Sequence, residues 1–233
     1  MSNPYFAIIV AGGSGKRMNS TVPKQFLLLN GKPVIMHTIQ KFYLSSYQPR
    51  IVLVLSQADQ ALWKGLIKEF NFSIPHEIVD GGNERFFSVK NGLDFIDTFI
   101  DEKEKAIVAI HDAVRPLVSV DTIDRCFKYA DFKGNAVAAV ASKDSVRIRN
   151  SEGNRAIPRE SVYLIQTPQV FNYKNIKNSY LKGYNSDFTD DASVLEASGY
   201  SIFIVEGDQF NIKITFPEDI IFAEALLKNH ERI

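Results

Sequence analysis

The order of apolar segments along the chain predicts an α/β fold, a mainly parallel twisted sheet with helices on both faces. Three observations carry that expectation. Short β-rich apolar runs recur through the 233 residues, amphipathic helical stretches lie between them, and the first run ends in a glycine loop. Strands covered on both faces read as unbroken apolar runs, and strands alternating with helices imply right-handed crossovers between parallel neighbours.

Taken in order, Tyr5-Phe-Ala-Ile-Ile-Val10 is the first such run, stopped by Gly12 and Gly13. Ile51-Val-Leu-Val-Leu55 and Ala106-Ile-Val-Ala-Ile110 repeat it, and residues 136–141 are a weaker copy. Between them, Ile35, Ile39 and Phe42 share one helical face, and Leu62, Leu66 and Phe70 share another. Phe86, Val89, Leu93, Ile96 and Ile100 alternate steps of three and four, the spacing that lines side chains along one stripe of a helix. The rhythm changes after Ser142. Residues 143–166 are polar, with the turn-rich Asn150-Ser-Glu-Gly-Asn154 near their centre. Val146-Arg-Ile148 before that turn and Val162-Tyr-Leu-Ile165 after it predict the two strands of a β-hairpin projecting from the sheet. Residues 201–205 and 211–214 return to the core, followed by a helix opening at Pro217 with Glu218 and Asp219 in its first turn. No linker, low-complexity tract or internal repeat interrupts the chain. Residues 1–233 are therefore expected to form one Rossmann-like domain, with residues 143–166 as a projecting β-hairpin arm.

Acidic and basic residues balance at 27 each, so no global field recruits nucleic acid or an acidic membrane, and phosphate recognition has to be local. The sole cysteine, Cys126, excludes an internal disulfide framework and, beside Ile123 and Phe127, reads as core. His37, His76, His111 and His230 are too scattered for a zinc-type cluster. The first apolar run is too short for a signal-peptide core, and nothing approaches the roughly 20 apolar residues of a membrane span. A cytoplasmic protein is expected, without a nucleic-acid or membrane partner.

The densest chemical signal is Ala11-Gly-Gly-Ser-Gly-Lys-Arg-Met18, with Pro23-Lys24-Gln25 behind it. It follows the first strand, at the carboxyl edge where open α/β sheets bind ligands. Gly12, Gly13 and Gly15 let backbone N–H groups approach phosphate oxygens, while Lys16, Arg17 and Lys24 bring positive charge. Two commoner phosphate loops do not fit. A P-loop needs glycine where Val10 stands and Ser or Thr where Arg17 stands, and a dinucleotide fingerprint needs glycine at Met18. A plain glycine turn with solvated bases is the alternative the loop alone leaves open. Asp112 closes the 106–110 run at the same edge, where a carboxylate can hold Mg²⁺ against phosphates or pair with Arg115. Asp190 and Asp191 also invite a metal, but adjacent acids at a helix start serve as cap and first-turn charge.

The glycine loop and its Pro-Lys-Gln sequel are followed by Asp80-Gly-Gly-Asn-Glu-Arg85, His111-Asp-Ala-Val-Arg-Pro116, Gln166-Thr-Pro-Gln169, Thr189-Asp-Asp-Ala-Ser193 and Asn211-Ile-Lys-Ile-Thr215. In that order they resemble the nucleotide-sugar pyrophosphorylase-like nucleotidyltransferases. Among these they are most similar to the 2-C-methyl-D-erythritol 4-phosphate cytidylyltransferase family of non-mevalonate isoprenoid synthesis. The resemblance runs from Ala7 to about Leu227. It implies transfer of CMP from magnesium CTP to the sugar-alcohol phosphate, with in-line attack at the α-phosphorus and release of pyrophosphate. By the resemblance, Arg17 and Lys24 are catalytic, stabilising charge in the transition state. Ala11, Gly12, Gly13, Gly15 and Lys16 would cradle the triphosphate, and Gly81, Gly82, Asn83 and Ser88 would surround the cytosine. Asp112 would hold Mg²⁺ and, with Ala113, Arg115, Thr167 and Lys213, face the acceptor.

The resemblance also implies a homodimer in which the arm delivers Ser145 and Arg159 to the neighbour's site. Two positions depart from the pattern, Asn83 and Phe210, where relatives carry aspartate. Asp208 precedes Phe210 by two residues and would share its face if the strand continued, which leaves Asp112 as the principal carboxylate for the metal. The nearest rival family, the ribitol 5-phosphate cytidylyltransferases, shares the chemistry with a different acceptor. Ile157-Pro-Arg-Glu160 and Thr189-Asp-Asp-Ala-Ser193 look more like the methylerythritol enzymes. A non-catalytic nucleotide-binding regulator would lose the transition-state cations, yet Arg17 and Lys24 are both present.

Overall fold

The structure, a computed structural model, describes residues 4–13, 22–101 and 105–230, with side chains as far as Lys228. In chain order the elements begin with β1 (Tyr5–Val10), β2 (Leu28–Leu29), β3 (Lys32–Pro33), α1 (Val34–Tyr43), β4 (Arg50–Leu55), α2 (Gln57–Glu69), β5 (Glu77–Asp80) and α3 (Arg85–Ile96). There follow β6 (Ile107–Asp112), α4 (Val120–Lys133), β7 (Asn135–Ala141), β8 (Val146–Asn150), β9 (Gly153–Ile157) and β10 (Tyr163–Asn172). The chain ends with α5 (Tyr173–Leu181), α6 (Asp191–Glu196), β11 (Ile204–Glu206) and α7 (Pro217–His230).

Seven strands form one sheet in the order β11-β7-β10-β6-β1-β4-β5. The pairs β1–β4, β1–β6, β4–β5 and β7–β11 are parallel, while β10 runs antiparallel to both β6 and β7. The sheet is thus mainly parallel, with β10 reversed. Successive side chains of a strand point to opposite faces, and β1 shows the result. Ala7 and Ile9 pack with Ile35, Phe42, Trp63 and Phe127 from α1, α2 and α4, whereas Phe6 and Ile8 pack with Val89, Leu93 and Ile176 from α3 and α5. Gly92 lets α3 lie close on the sheet, since a Cβ there would sit 3.0 Å from Ile8 Cγ2 and 3.2 Å from Val54 Cγ2. No helix among the described residues is long and apolar enough to cross a membrane.

Two elements differ from the sequence pattern. The spacing of Leu62, Leu66 and Phe70 predicts the inward face of α2, but Trp63 is the residue fully buried and Leu62 is exposed. The indole is the largest apolar surface on that helix, so it takes the core position and turns Leu62 outward. Its Nε1 donates to His76 Nε2 at 3.1 Å, which satisfies the buried N–H. The arm hairpin turns where expected, but its second strand is β9, pairing Val146 with Ile157 and Asn150 with Gly153. Residues 162–165 lie further on, and Tyr163, Leu164 and Ile165 pair with β7 in the main sheet. A search for apolar alternation overlooks β9 because the strand has no buried face. Residues 211–214 return to the core as expected, through buried Asn211 and Ile214, with Ile214 N–H donating to Val114 O at 2.9 Å.

Candidate active site

At the carboxyl ends of β1 and β6 lies a cavity of about 320 Å³. Its walls are Val10, Ala11, Gly12, Gly13, Lys24, Gln25, Gly82, Asn83, Glu84, Arg85, Ser88, Asp112, Val114 and Lys213. Hollows of about 670 and 520 Å³ exist elsewhere, one beside Tyr47 and Arg125 and one beside Tyr43 and His76. Size is the poorer guide here, because the smaller cavity, unlike those two, sits where glycine loops converge at the carboxyl ends of parallel strands. Gly15, Lys16 and Arg17 lie outside the described residues.

The mouth is built from two glycine segments joined by a serine. Ala11 N–H continues the sheet by donating to Val54 O at 2.9 Å, and Ala11 O accepts from Gln25 Nε2 at 2.9 Å. Buried Gln25 also donates to Asp59 Oδ2 at 3.3 Å, so the chain after Lys24 is tied back to the start of the loop. On the other side, Gly81 N–H donates to Leu55 O at 2.6 Å, and Gly82 N–H donates to Ser88 Oγ at 3.0 Å. A Cβ on Gly82 would lie 2.3 Å from Phe87 Cβ, so only glycine lets this segment fold back on α3. A Cβ on Gly12 would lie 3.2 Å from the same Ser88 hydroxyl, which therefore stands between both segments.

The floor is charged. Asp112 ends β6 with its carboxylate 2.7 Å from Lys213 Nζ, 3.3 Å from Arg85 Nε and 3.9 Å from Arg115 Nε. Burial pushes its pKa up, but the charges of Arg85, Lys213 and Arg115 outweigh burial and hold it well below the usual carboxylate range. Arg85 reaches further, donating through Nη1 and Nη2 to Asp191 at 2.8 and 2.7 Å. Burial opposes the Arg85 charge, but Asp191 and Asp112 more than restore it. Lys24 Nζ donates to Ile214 O at 3.1 Å, and Arg115 Nη1 to Asn211 O at 2.7 Å, so both cations anchor the segment that carries Lys213.

His111 is fully buried behind this floor, and burial pushes its pKa down to about 3. Its Nε2 lies 3.3 Å from Arg115 O and its Nδ1 3.0 Å from Thr167 Oγ1. A carbonyl only accepts, so the neutral ring carries its proton on Nε2 and accepts from the Thr167 hydroxyl. Thr167 Oγ1 in turn accepts from Asp112 N–H at 3.1 Å. Thr167 is itself buried, so it fixes the backbone of Asp112 from behind.

The structure therefore gathers Ala11, Gly12, Gly13, Lys24, Gly82, Asn83, Ser88, Asp112 and Lys213 around one cavity. Gly81, Arg115 and Thr167 support it from just outside. Ala113 is buried and acts through its backbone, donating to Val10 O and accepting from Thr38 Oγ1 at 2.7 Å. Ser145 and Arg159 are exposed and do not line the cavity. Arg159 donates to Lys143 O at 3.3 Å and lies 3.5 Å from Glu160. Asp208 does not share a strand face with Phe210, because β11 ends at Glu206 and the Asp208 carboxylate accepts locally from Phe210 N–H at 2.8 Å.

Sequence reasoning overlooked two members. The motif of residues 80–85 by itself gives Arg85 no role, and Asp191 reads with Asp190 as a helix-start acid. Asp190 does cap α6, accepting from Ser193 N–H at 2.9 Å, but Asp191 turns inward to Arg85 and Tyr180. The signal available was a run of two acids where a cap needs one.

Among the described residues no group of three or more His, Cys, Asp or Glu side chains converges on a point. Asp112 offers one carboxylate, already facing cations. Magnesium usually takes one or two carboxylates and completes its octahedron with water and substrate phosphates. The donor set thus fits an ion that arrives with a triphosphate and shares Asp112, rather than one caged by protein alone.

Known proteins resemble this chain along nearly its whole length. The sequence profile of the 2-C-methyl-D-erythritol 4-phosphate cytidylyltransferase family matches residues 5–229. The protein of that name from Phocaeicola vulgatus is 43% identical over 220 residues, covering 94% of this chain and 98% of the relative. The one from Azobacteroides pseudotrichonymphae is 44% identical over 223 residues, covering 95% and 98%. The crystal structure of 4-diphosphocytidyl-2C-methyl-D-erythritol synthase from Anaerococcus prevotii is similar with a TM-score of 0.82 and 30% identity, covering 97% of this chain and 96% of that one.

Proposed function

The chain belongs to the 2-C-methyl-D-erythritol 4-phosphate cytidylyltransferase family, and from that premise we propose how its residues carry the reaction. The enzyme transfers CMP from CTP to 2-C-methyl-D-erythritol 4-phosphate in isoprenoid precursor synthesis. An oxygen of the acceptor phosphate attacks the α-phosphorus in line, the bond to the β-phosphate breaks, and pyrophosphate leaves. A phosphate monoester is already largely ionised near neutral pH, so no general base has to deprotonate it. This accords with the sealed, neutral state of His111. What remains for the protein is positioning and charge.

The observation that carries this reading is the Asp112 floor, one carboxylate set among Lys213, Arg85 and Arg115 beside two glycine segments. The backbone N–H groups of Gly12 and Gly13 serve the triphosphate, and Ala11, whose N–H is held by Val54 O, shapes the wall beside them. Gly15 and Lys16 are assigned to the same cradle. Lys24, at the cavity wall, and Arg17 are assigned as the catalytic cations, for charge that grows on the equatorial oxygens. Gly81, Gly82, Asn83 and Ser88 take the base. Arg115 and Lys213 face the acceptor phosphate, while Ala113 and Thr167 hold Asp112 in place. When bound, Mg²⁺ on Asp112 would neutralise and orient the triphosphate. Residues 1–233 act as one domain, and the arm of residues 143–166 brings Ser145 and Arg159 to the site of a second copy in a homodimer. The absence of a membrane-crossing helix among the described residues is in keeping with a cytoplasmic enzyme.

Pyrophosphate release measured with four nucleoside triphosphates against methylerythritol phosphate and ribitol 5-phosphate tests the reading. CTP with methylerythritol phosphate is expected to exceed every other pair. A preference for ribitol 5-phosphate would move the chain to the rival activity.

A further inference from the structure

Arg85 stands between two carboxylates and divides itself unequally. Both of its terminal nitrogens go to Asp191, at 2.8 and 2.7 Å, and Asp112 receives only Nε at 3.3 Å. Two parallel bonds from a guanidinium fork are the strongest way it holds a carboxylate. Asp191 has that fork although it lies outside the cavity, with no exposed surface. Its position is fixed by two neighbours. Tyr180 OH donates to it at 2.6 Å, and Gln169 on β10 pins the first turn of α6 by accepting from Ala192 N–H at 2.8 Å and donating to Asp190 at 2.9 Å.

We propose that Asp191 is a positioning residue whose bidentate hold keeps Arg85 from capturing Asp112. The charges make the consequence definite. Asp191 and Arg85 cancel, which leaves Asp112 facing Lys213 and Arg115 with one positive charge in excess, suited to phosphates. Without the Asp191 charge, the fork of Arg85 turns to Asp112, its remaining carboxylate, locks it and displaces Lys213. This inference rests on the reading of Asp112 as an active-site carboxylate.

The test uses full-length enzyme at saturating substrates and compares Asp191→Asn with the double variant Arg85→Gln/Asp191→Asn, beside wild type and Asp112→Asn. Asp191→Asn is expected to lower kcat by roughly 30-fold, the scale for losing a residue that orients a site ligand, without raising the KM for CTP. The double variant, with no arginine to capture Asp112, is expected to recover to within about tenfold of wild type. Removing both charges leaves no uncompensated buried ion, so the double variant carries the test even where the single one fails to fold. Parallel loss of kcat and CTP affinity in Asp191→Asn would mark a merely structural role and overturn the proposal. So would a normal kcat in that variant, or a folded double variant that is no more active than the single one or stays more than about 100-fold below wild type. If Asp112→Asn keeps normal turnover, the reading of Asp112 itself fails, and the proposal falls with it.

Discussion

Arg85 and Arg159 occupy opposite extremes of the same chain. Arg85 bonds two carboxylates, Asp112 on the floor of the cavity and Asp191 behind it, and Asp112 is paired in turn with Lys213. Arg159 follows the β8–β9 hairpin, its side chain 56% exposed, with a neighbouring carbonyl and a neighbouring glutamate for company. Exposed pairs of that kind contribute about 0–1 kcal/mol, so stability does not explain the arm. One region pairs its charges with partners inside the chain. The other presents polar strands that no described residue covers, the surface assigned to the proposed homodimer.

The largest effect belongs to the cavity. Lys24→Ala is expected to lower turnover by roughly 100- to 1,000-fold at saturating CTP, the range for losing one preorganised donor to a developing charge. CTP affinity should fall less than turnover. Normal turnover in this variant would break the contrast, because the cavity would then lack its catalytic charge. Gly82→Ala comes next. Its new methyl would meet Phe87 Cβ at 2.3 Å, and overpacking of this severity costs about 3 kcal/mol. Both a lower melting temperature and a higher KM for CTP are expected. Gly153→Ala in the arm, where φ is +141°, should strain the hairpin yet leave the KM for CTP unchanged. A shift in KM from Gly153→Ala alone would reverse the assignment of the two regions.

A smaller effect concerns pH. The folded pKa of His111 is about 3 and the unfolded value about 6.5, so the folded chain binds fewer protons between them. The stability tied to the neutral ring is present above pH 6.5 and is lost as pH falls toward 3. Between pH 7 and pH 5 this loss amounts to about 2 kcal/mol for one such histidine. In urea titrations at the two pH values, His111→Asn should show a correspondingly smaller difference than wild type. An unchanged difference would mean that the ring is protonated in the folded protein.

Much of the cavity was legible in the sequence because its parts lie at strand ends. Ala11 to Gly13 follow the first apolar run, and Asp112 closes another. The partners of Asp112 were harder to see. Arg85 and Asp191 are 106 residues apart, and nothing local shows that the second of two adjacent acids turns inward. That choice is made when α6 docks on Gln169. Trp63 is hard to see for a related reason, since it lies beside the Leu62, Leu66 and Phe70 stripe, of which Leu66 and Phe70 pack against the core and Leu62 does not. The hairpin turn was readable from Asn150 to Asn154, but β9 has no apolar face, so its pairing left no hydrophobic pattern.

The central claim, a site shared between two copies, is tested most directly by mixing Arg159→Ala subunits with Lys24→Ala subunits, each nearly inactive alone. A hybrid dimer then holds one site with both wild-type residues. Equal random mixing makes half the dimers hybrids, and half of their sites are intact, so about a quarter of wild-type activity is expected. Verified hybrids with no activity beyond the sum of the two parents would contradict the account and assign Arg159 no role across the interface.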